Sequence, residues 1–252
     1  MAARDDAATR SAVIHAVVPV LNEEPNVKVL AGRLKDALQP FAPFRILFVD
    51  DGSTDRTVEV LKAQGREFGT LSHPRNLGPG AAFRTGFTEV LKTLQPTDLV
   101  LTLEGDGTSD LNILPRMMNR IRNEDDDIVL ASCYLFGGGV KGTSLHRIGL
   151  SHIANGLVKQ TLGLTGLATL SSFFRVYQGR TLLKLREASG ERLFESDGFE
   201  SQIEILHLAS KLKLRISEVP MLLDGSKRLG KSKMKVLRTS LAYLRLVARY
   251  RS

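Results

Sequence analysis

Cysteine is almost missing from this sequence: Cys133 is the only one in 252 residues. A single cysteine cannot form an internal disulfide, and such a count is typical of a protein from a reducing compartment. Long hydrophobic runs are missing too, because none approaches the roughly 20 residues that span a bilayer. The first ten residues are polar and include Asp5 and Asp6, unlike a secretory signal. We therefore expect a cytoplasmic protein.

Glycine is missing from the place where a dinucleotide-binding protein needs it. A Rossmann fingerprint has Gly-x-Gly-x-x-Gly directly after the first strand, but residues 19–24 contain no glycine. The glycine-rich turn at 76–80 follows a later strand and lacks the Lys-Ser/Thr ending of a P-loop. These absences argue against nicotinamide chemistry and against P-loop ATP chemistry.

Acidic residues are scarce in the C-terminal part of the chain. Residues 211–252 contain twelve Lys or Arg side chains and two acids, a net charge of +10 in a chain of net charge +8. The asymmetry indicates an anionic partner, which is a phosphate substrate, an anionic membrane face or nucleic acid; a merely solvated basic surface is the alternative. Only Tyr243 and Tyr250 interleave with the basic residues, too few for a nucleic-acid stacking platform.

Apolar segments alternate with helical ones along most of the chain. Strands are predicted at 14–20, 45–49, 71–74, 98–103, 127–132, 173–177, 215–219 and 220–223, and the main helices at 22–38, 81–94, 145–162, 199–212 and 234–250. The alternation predicts an α/β fold with a mostly parallel sheet flanked by helices. The last two strands predict a C-terminal β-hairpin, which precedes a basic amphipathic helix.

We predict one folded domain. The polar residues 1–12 would precede it as a disordered segment, residues 13–223 would form its catalytic part, and residues 224–252 would add a basic loop and helix to the same domain. The final helix has apolar residues in a helical rhythm with basic residues between them. One face can pack on the domain while another lies on an anionic membrane surface.

Carboxylates cluster where two of the predicted strands end. Asp50, Asp51 and Asp55 follow one buried strand, and Glu104 and Asp106 follow another. Open α/β sheets bind ligands at the carboxyl ends of their strands, and adjacent carboxylates repel one another unless cations or donors are present. Glu104 and Asp106 can therefore share a hard divalent cation with water and phosphate oxygens. Ordinary solvated loop acids are the alternative.

Several segments together resemble family 2 glycosyltransferases of the GT-A (Rossmann-like) fold. They are Val-Pro-Val-Leu-Asn-Glu at 18–23, Val-Asp-Asp-Gly-Ser-Thr-Asp at 49–55, Asn-Leu-Gly at 76–78 and Glu-Gly-Asp at 104–106. Later segments, at 137–140, 172–177, 218–220 and 230–234, resemble the polyprenyl-phosphate branch of that family, which includes dolichyl-phosphate mannose synthases. The likeness extends over nearly the whole chain.

The resemblance implies an inverting, metal-dependent transferase that moves a sugar from GDP-mannose or a UDP-sugar to polyprenyl or dolichyl phosphate. The implied nucleotide-binding residues are Pro19, Leu21, Glu23, Asp50, Asp51 and Gly78. The implied ligands of Mg²⁺ or Mn²⁺ are Glu104 and Asp106. The implied phosphate-binding residues are Arg147, Arg175, Lys227, Arg228, Lys231 and Lys233; Asp106, Arg147 and Arg175 are the implied catalytic residues. Such a protein would be cytoplasmic or peripheral at the cytoplasmic face of a membrane.

The departures from the family pattern fall mainly on the acceptor side. Cys133 stands where the family has an arginine expected to meet the acceptor phosphate, and Glu104 stands where it usually has Asp. A soluble small-molecule acceptor therefore stays open, as does a nucleotide-binding protein with a lapsed active site. An alcohol acceptor would require a general base, for which Asp197 or Glu200 is the guess, whereas a lipid phosphate would require none.

Overall fold

A computed structural model describes residues 11–41, 43–65, 67–142, 156, 158–190, 192–228 and 236–251. Arg147, Lys231 and Lys233 lie outside these ranges, as do residues 1–10 and most of the helix predicted at 145–162. Residues 158–162 of that segment are helical.

Strands and helices alternate through the first half of the chain. The strands are β1 (Ile14–Val20), β2 (Phe44–Asp50), β3 (Phe68–Ser72), β4 (Leu99–Thr102), β5 (Ile128–Ser132), β6 (Gly139–Lys141), β7 (Arg175–Gln178), β8 (Ile216–Pro220) and β9 (Leu222–Asp224). The helices are α1 (Glu24–Leu38), α2 (Thr57–Lys62), α3 (Pro79–Leu91), α4 (Leu114–Asn123), α5 (Gly179–Ser189), α6 (Ser201–Lys211) and α7 (Val236–Arg251).

The central sheet has seven strands in the order β3-β2-β1-β4-β7-β5-β8. Only β7 runs against the others, between β4 and β5. The predicted α/β fold with a mostly parallel sheet is confirmed. Because β1 and β4 are paired in parallel, and β1 is paired with β2 in the same way, their carboxyl ends lie side by side at one edge.

Helices cover both faces of this sheet and create two hydrophobic cores. On one face, α1 contributes apolar residues spaced by three or four positions, such as Val27, Leu30 and Leu34, which is the pattern of a helix with one buried side. Helices α3, α5, α6 and α7 pack on the opposite face around Phe83, Phe87 and their neighbours.

The C-terminal strands and helix are all present. Strands β8 and β9 follow one another across Met221; β8 extends the central sheet beside β5, and β9 pairs in parallel with β6. On α7, Tyr243, Leu246 and Val247 are buried in the core, whereas Leu241 and Leu244 are exposed. In the described part of the chain, no helix is both long and apolar enough to cross a membrane.

Candidate active site

The loops after β1, β2 and β4 meet at the carboxyl edge of the sheet. Val20 lies opposite Asp50 in the register of β1 and β2, and the backbone N–H of Asp51 donates to the carbonyl oxygen of Val20 at 2.8 Å. Pro19 and Leu21, at the end of β1, are partly exposed at this edge. The predicted nucleotide-binding residues of the first two loops are therefore neighbours in space.

Hydrogen bonds lock the first loop to the second. Asn22 adopts a φ of +49°, donates its backbone N–H to Ser53 Oγ at 2.8 Å, and accepts from the Thr54 N–H at 2.7 Å. Glu23 is buried, with its carboxylate accepting from the side-chain amide of Asn26 at 2.5 Å. The Glu23 carboxylate thus contacts the first turn of α1.

Asp51 organises the glycine-rich turn before α3. Its buried carboxylate accepts from the backbone N–H groups of Leu77 and Gly78 at 2.9 and 2.8 Å, and contacts His73 Nδ1 at 2.8 Å. The other ring nitrogen of His73 lies 2.9 Å from the hydroxyl of Thr85 on α3. Asp50, also buried, accepts from the Ser53 N–H at 3.1 Å. The two adjacent aspartates consequently have different surroundings.

A second segment, residues 196–198, lies against the start of α3. Gly78 has a φ of +106°, and a Cβ there would overlap the carbonyl oxygen of Asp197. The N–H of Gly80 donates to that same oxygen at 2.7 Å, and Arg84 forms an ion pair with the Asp197 carboxylate. Sequence reasoning missed this contact because it joins segments more than a hundred positions apart, and no local pattern signals it.

Glu104 and Asp106 follow β4 and flank a glycine that the fold requires. A Cβ on Gly105 would come within 2.5 Å of the Pro19 carbonyl oxygen and 2.6 Å of Val20 Cγ1. The turn therefore passes close beneath the end of β1. This close approach joins the predicted metal pair to the predicted nucleotide loops.

The two carboxylates differ in their partners. Glu104 accepts from the Ser109 hydroxyl at 2.6 Å and from the Phe173 N–H at 3.3 Å. Burial, and then the nearby charge of Asp106, raise the pKa of Glu104. Asp106 accepts from the Thr108 hydroxyl at 2.7 Å, and its other oxygen accepts from Arg228 Nε at 2.8 Å and also from Arg228 Nη2.

The pair has the donor chemistry of a magnesium or manganese site. Carboxylate oxygens are hard ligands, and a cation would relieve the repulsion that raises the pKa of Glu104. Among the described residues, no group of three or more His, Cys, Asp and Glu side chains could hold a metal by itself. Two carboxylates leave the remaining positions to water and to ligand oxygens, as Mg²⁺ usually requires.

Arg175 lies inside the protein and not at the open edge of the sheet. Its guanidinium is fully buried and donates to the carbonyl oxygens of Leu170, Ser172 and Gln202 at 2.7 to 3.0 Å. Three backbone acceptors satisfy this cation within the fold. The structure therefore does not bring Arg175 to the carboxylates with which the resemblance grouped it.

The basic C-terminal loop does reach the carboxylate pair, through Arg228. Lys227, its neighbour, is exposed. The hydrogen bond from Ser226 lowers the pKa of the nearby Asp224 carboxyl, and the charge of Lys227 adds to that effect. Cys133 is a partly buried thiol whose pKa burial raises to about 11, so it is not an activated nucleophile.

Sequence comparison identifies relatives whose names refer to polyprenol or undecaprenyl phosphate. The family model described as "Glycosyl transferase family 2" matches residues 15–182. The chain is 27% identical over 222 residues to the polyprenol monophosphomannose synthase of Mycolicibacterium smegmatis, covering 86% of this chain and 79% of that one. It is 28% identical over 221 residues to the undecaprenyl-phosphate mannosyltransferase of Micrococcus luteus, covering 86% of each.

Structure comparison identifies the same fold in more distant proteins. Mannosyl-3-phosphoglycerate synthase from Rubrobacter xylanophilus superposes with a TM-score of 0.68 at 18% identity, covering 94% of this chain and 73% of that one. Glucosyl-3-phosphoglycerate synthase from Mycobacterium tuberculosis, crystallised with Mn²⁺, UDP-glucose and phosphoglyceric acid, gives 0.63 at 17% identity, covering 94% and 80%. These likenesses confirm the GT-A arrangement of the sheet. Because the family model covers about two thirds of the sequence, the chain belongs to glycosyl transferase family 2 and is a glycosyltransferase.

Proposed function

We propose that this glycosyltransferase moves a sugar, with inversion, from a nucleotide-diphosphate sugar to the phosphate of a polyprenyl lipid. One observation carries the proposal: the carboxylate pair Glu104 and Asp106 lies beside the loops of Asp50 and Asp51 and in contact with Arg228. Anion-binding and cation-binding groups thus meet at one edge of the sheet. The relatives named for polyprenol and undecaprenyl phosphate support the lipid acceptor.

The nucleoside would lie over the ends of β1 and β2. A carboxylate accepts strongly from a ring N–H or a ribose hydroxyl, and we assign this role to Asp50. Asp51 already accepts from two backbone N–H groups and contacts His73. It therefore acts mainly by holding the turn around Gly78 in place. Pro19 and Leu21 would supply the apolar surface beside the base.

Glu104 and Asp106 would hold Mg²⁺ or Mn²⁺ against the diphosphate. When bound, the cation would neutralise the charge that develops on the leaving nucleoside diphosphate. Arg228 supplies positive charge to Asp106. The same guanidinium lies close enough to the pair to contact a phosphate of the donor or of the acceptor, and Lys227 adds further positive charge nearby.

A phosphate acceptor needs no general base. A phosphate oxygen of the acceptor would attack the anomeric carbon as the bond from that carbon to the donor phosphate breaks, and the electron pair would leave with the nucleoside diphosphate. No proton is removed. An alcohol acceptor would require a base; of the two candidates, Asp197 is engaged by Arg84 in an ion pair, and Glu200 is the other.

Donor binding can be tested with a thermal-shift panel of nucleoside diphosphates in Mn²⁺. We expect one nucleotide to raise the melting temperature by mass action, and the rise to be lost in Asp106→Asn. Stabilisation by GDP alone would favour mannose as the sugar, and stabilisation by UDP alone would favour glucose- or GlcNAc-type donors. A lapsed site would bind nucleotide without donor hydrolysis, so hydrolysis that requires Mn²⁺ and Asp106 excludes it.

A soluble phosphate acceptor is the second candidate. Cys133 stands where the polyprenyl-phosphate branch has an arginine, and the fold is shared with two synthases named for 3-phosphoglycerate products. Transfer to polyprenyl phosphate and to phosphoglyceric acid should be compared with one labelled donor. We expect label in the organic phase; label only in the aqueous product would contradict the lipid proposal.

A further inference from the structure

Phe136 is a large apolar side chain that the fold leaves fully exposed, with a relative accessible surface of 100%. It follows β5 at the start of the glycine run 137–139. Leu222 on β9 is 50% exposed. A single exposed apolar side chain is ordinary on a protein surface. What distinguishes Phe136 and Leu222 is that the loops and strands that carry them also carry exposed lysines.

The two side chains belong to one small lobe, which we define as residues 134–142 and 221–228. In the pairing of β6 with β9, Gly139 lies opposite Leu222. A Cβ on Gly139 would touch Leu222 Cδ1 at 3.4 Å, and one on Gly142 would lie 2.9 Å from the backbone nitrogen of Ser226. The strand after Phe136 is therefore held against the strand that carries Leu222.

The lobe is positively charged around its apolar residues. Lys141 and Lys227 are both exposed. The hydrogen bonds from Ser226 lower the pKa of the Asp224 carboxyl, and the charges of these two lysines lower it further. Arg228, the third cation, is paired with Asp106 outside the lobe, and Asp224 is the one acid within the lobe. Apolar side chains at a tip with lysines nearby are the combination that binds the interface of an anionic bilayer.

We propose that this lobe docks on an anionic membrane, with Phe136 inserted among the lipid headgroups. A protein partner fits less well, because a stable interface buries about 800 Å² on each side, whereas this tip offers two apolar side chains. A bilayer requires no complementary apolar surface. It also presents the negative charge that Lys141 and Lys227 complement.

The lobe lies next to the carboxylate pair. The Asp224 N–H donates to the carbonyl oxygen of Thr108 at 3.3 Å, and Arg228 binds Asp106. Docking through this lobe would therefore bring a lipid phosphate at the bilayer surface to the sugar-transfer site. This consequence rests on the proposed function, whereas membrane docking itself can be tested without any acceptor.

The absence of tryptophan from the chain makes a direct test of insertion available. Phe136→Trp would place the only indole at the proposed contact, and Val29→Trp would place one at an exposed position on α1 as the matched control. We expect vesicles of phosphatidylcholine and phosphatidylglycerol to blue-shift the emission of Phe136→Trp, and brominated lipids to quench it. An unchanged spectrum, or a shift that depends on protein concentration without vesicles, would overturn the proposal.

Vesicle sedimentation measures how much the lobe contributes to binding. The double variant Phe136→Ser/Lys141→Gln should bind anionic vesicles roughly tenfold more weakly, since a buried phenylalanine side chain and one interfacial cation are lost. The adjacent exposed pair on α1 gives the control Lys28→Gln/Val29→Ser, which should bind normally. Equal binding by the two double variants would overturn the proposal.

Transfer assays separate failure of the lobe from failure of the proposed function. The lobe variant should lose transfer to polyprenyl phosphate in vesicles while keeping nucleotide-sugar hydrolysis and transfer to a short, water-soluble prenyl phosphate. If the wild type binds vesicles but transfers to neither acceptor, the proposed function fails and the lobe proposal stands. If the lobe variant transfers normally from vesicles and binds them normally, the lobe proposal fails.

Discussion

In the proposed active site, two carboxylates lie close together with one basic side chain beside them. Glu104 and Asp106 stand one residue apart, and the pKa of Glu104 is raised by burial and by its neighbour. Asp106 is paired with Arg228 on side chains that are 15% and 26% exposed. The edge of the sheet therefore presents two carboxylates that can bind a cation. The Arg228 guanidinium already binds one of them, Asp106.

The raised pKa of Glu104 predicts how stability depends on pH. The folded chain keeps this proton to a higher pH than the unfolded chain does, so stability falls as the pH rises above the ordinary value of 4.5. Without metal, Glu104→Gln should melt above the wild type, by a margin that grows from pH 4 to pH 8. Mn²⁺ should stabilise the wild type but not Glu104→Gln. The exposed Glu59→Gln keeps the carboxylate pair, so it should behave like the wild type in both respects. A margin independent of pH would contradict this explanation.

The ion pair of Arg228 with Asp106 predicts that this arginine and a metal ion compete for the Asp106 carboxylate. Arg228→Ala should bind Mn²⁺ more tightly, by roughly fivefold, because the ~1 kcal/mol of a partly exposed ion pair no longer opposes the metal. Its turnover should fall because a phosphate contact is lost. Metal titrations by calorimetry, with Arg180→Ala at the exposed pair with Asp125 as control, would measure the change. Weaker Mn²⁺ binding in Arg228→Ala would contradict the competition.

At the scale of elements, the start of α3 is fixed from two sides. Asp51 holds the N–H groups of Leu77 and Gly78, and the segment 196–198 lies close against Gly78 and Gly80. A Cβ on Gly80 would come within 2.5 Å of the Ser196 carbonyl oxygen. The turn has little room to move, so the donor loop depends on contacts distant in sequence.

This packing predicts that alanine destabilises the fold at Gly78, whereas alanine at Gly32 stabilises it. Gly78→Ala should cost about 1–3 kcal/mol from its backbone conformation alone, and more from the overlap with Asp197, with weaker nucleotide binding. Gly32→Ala, in open space on the exposed side of α1, should stabilise by roughly 0.5–1 kcal/mol. Denaturant unfolding and nucleotide titrations measure both. Equal stabilities of the two variants would contradict the described turn.

The elements that sequence predicted are those with local signals. Buried runs before Asp50 and Glu104 predicted β2 and β4, and the acids after them predicted the site's edge. The reversed direction of β7 and the contact of residues 196–198 with α3 have no such signal, because they arise from long-range packing. Helix α5 was not predicted, although Leu182 and Leu185, three positions apart, mark its buried face. Arg175 shows the same limit: its place among backbone carbonyls cannot be read from the residues around it.

At the scale of the molecule, net positive charge lies mainly in the C-terminal part of the chain, and so do several exposed apolar side chains. The chain after residue 210 carries a net +10, and within it α7 buries Tyr243 and Val247 while exposing Leu241 and Leu244. The sequence predicted a helix able to pack with one face, and the structure confirms that packing. The lobe around Phe136 was not predicted, because exposure is a property of the folded surface.

We have proposed that Glu104 and Asp106 hold the divalent cation for transfer to a lipid phosphate. The most direct measurement is transfer of labelled sugar from its nucleotide donor into organic-extractable polyprenyl phosphate, with Mn²⁺ or EDTA, for wild type and Asp106→Asn. We predict label in the organic phase only for wild type with Mn²⁺. Undiminished transfer in EDTA, or by Asp106→Asn, would contradict this assignment.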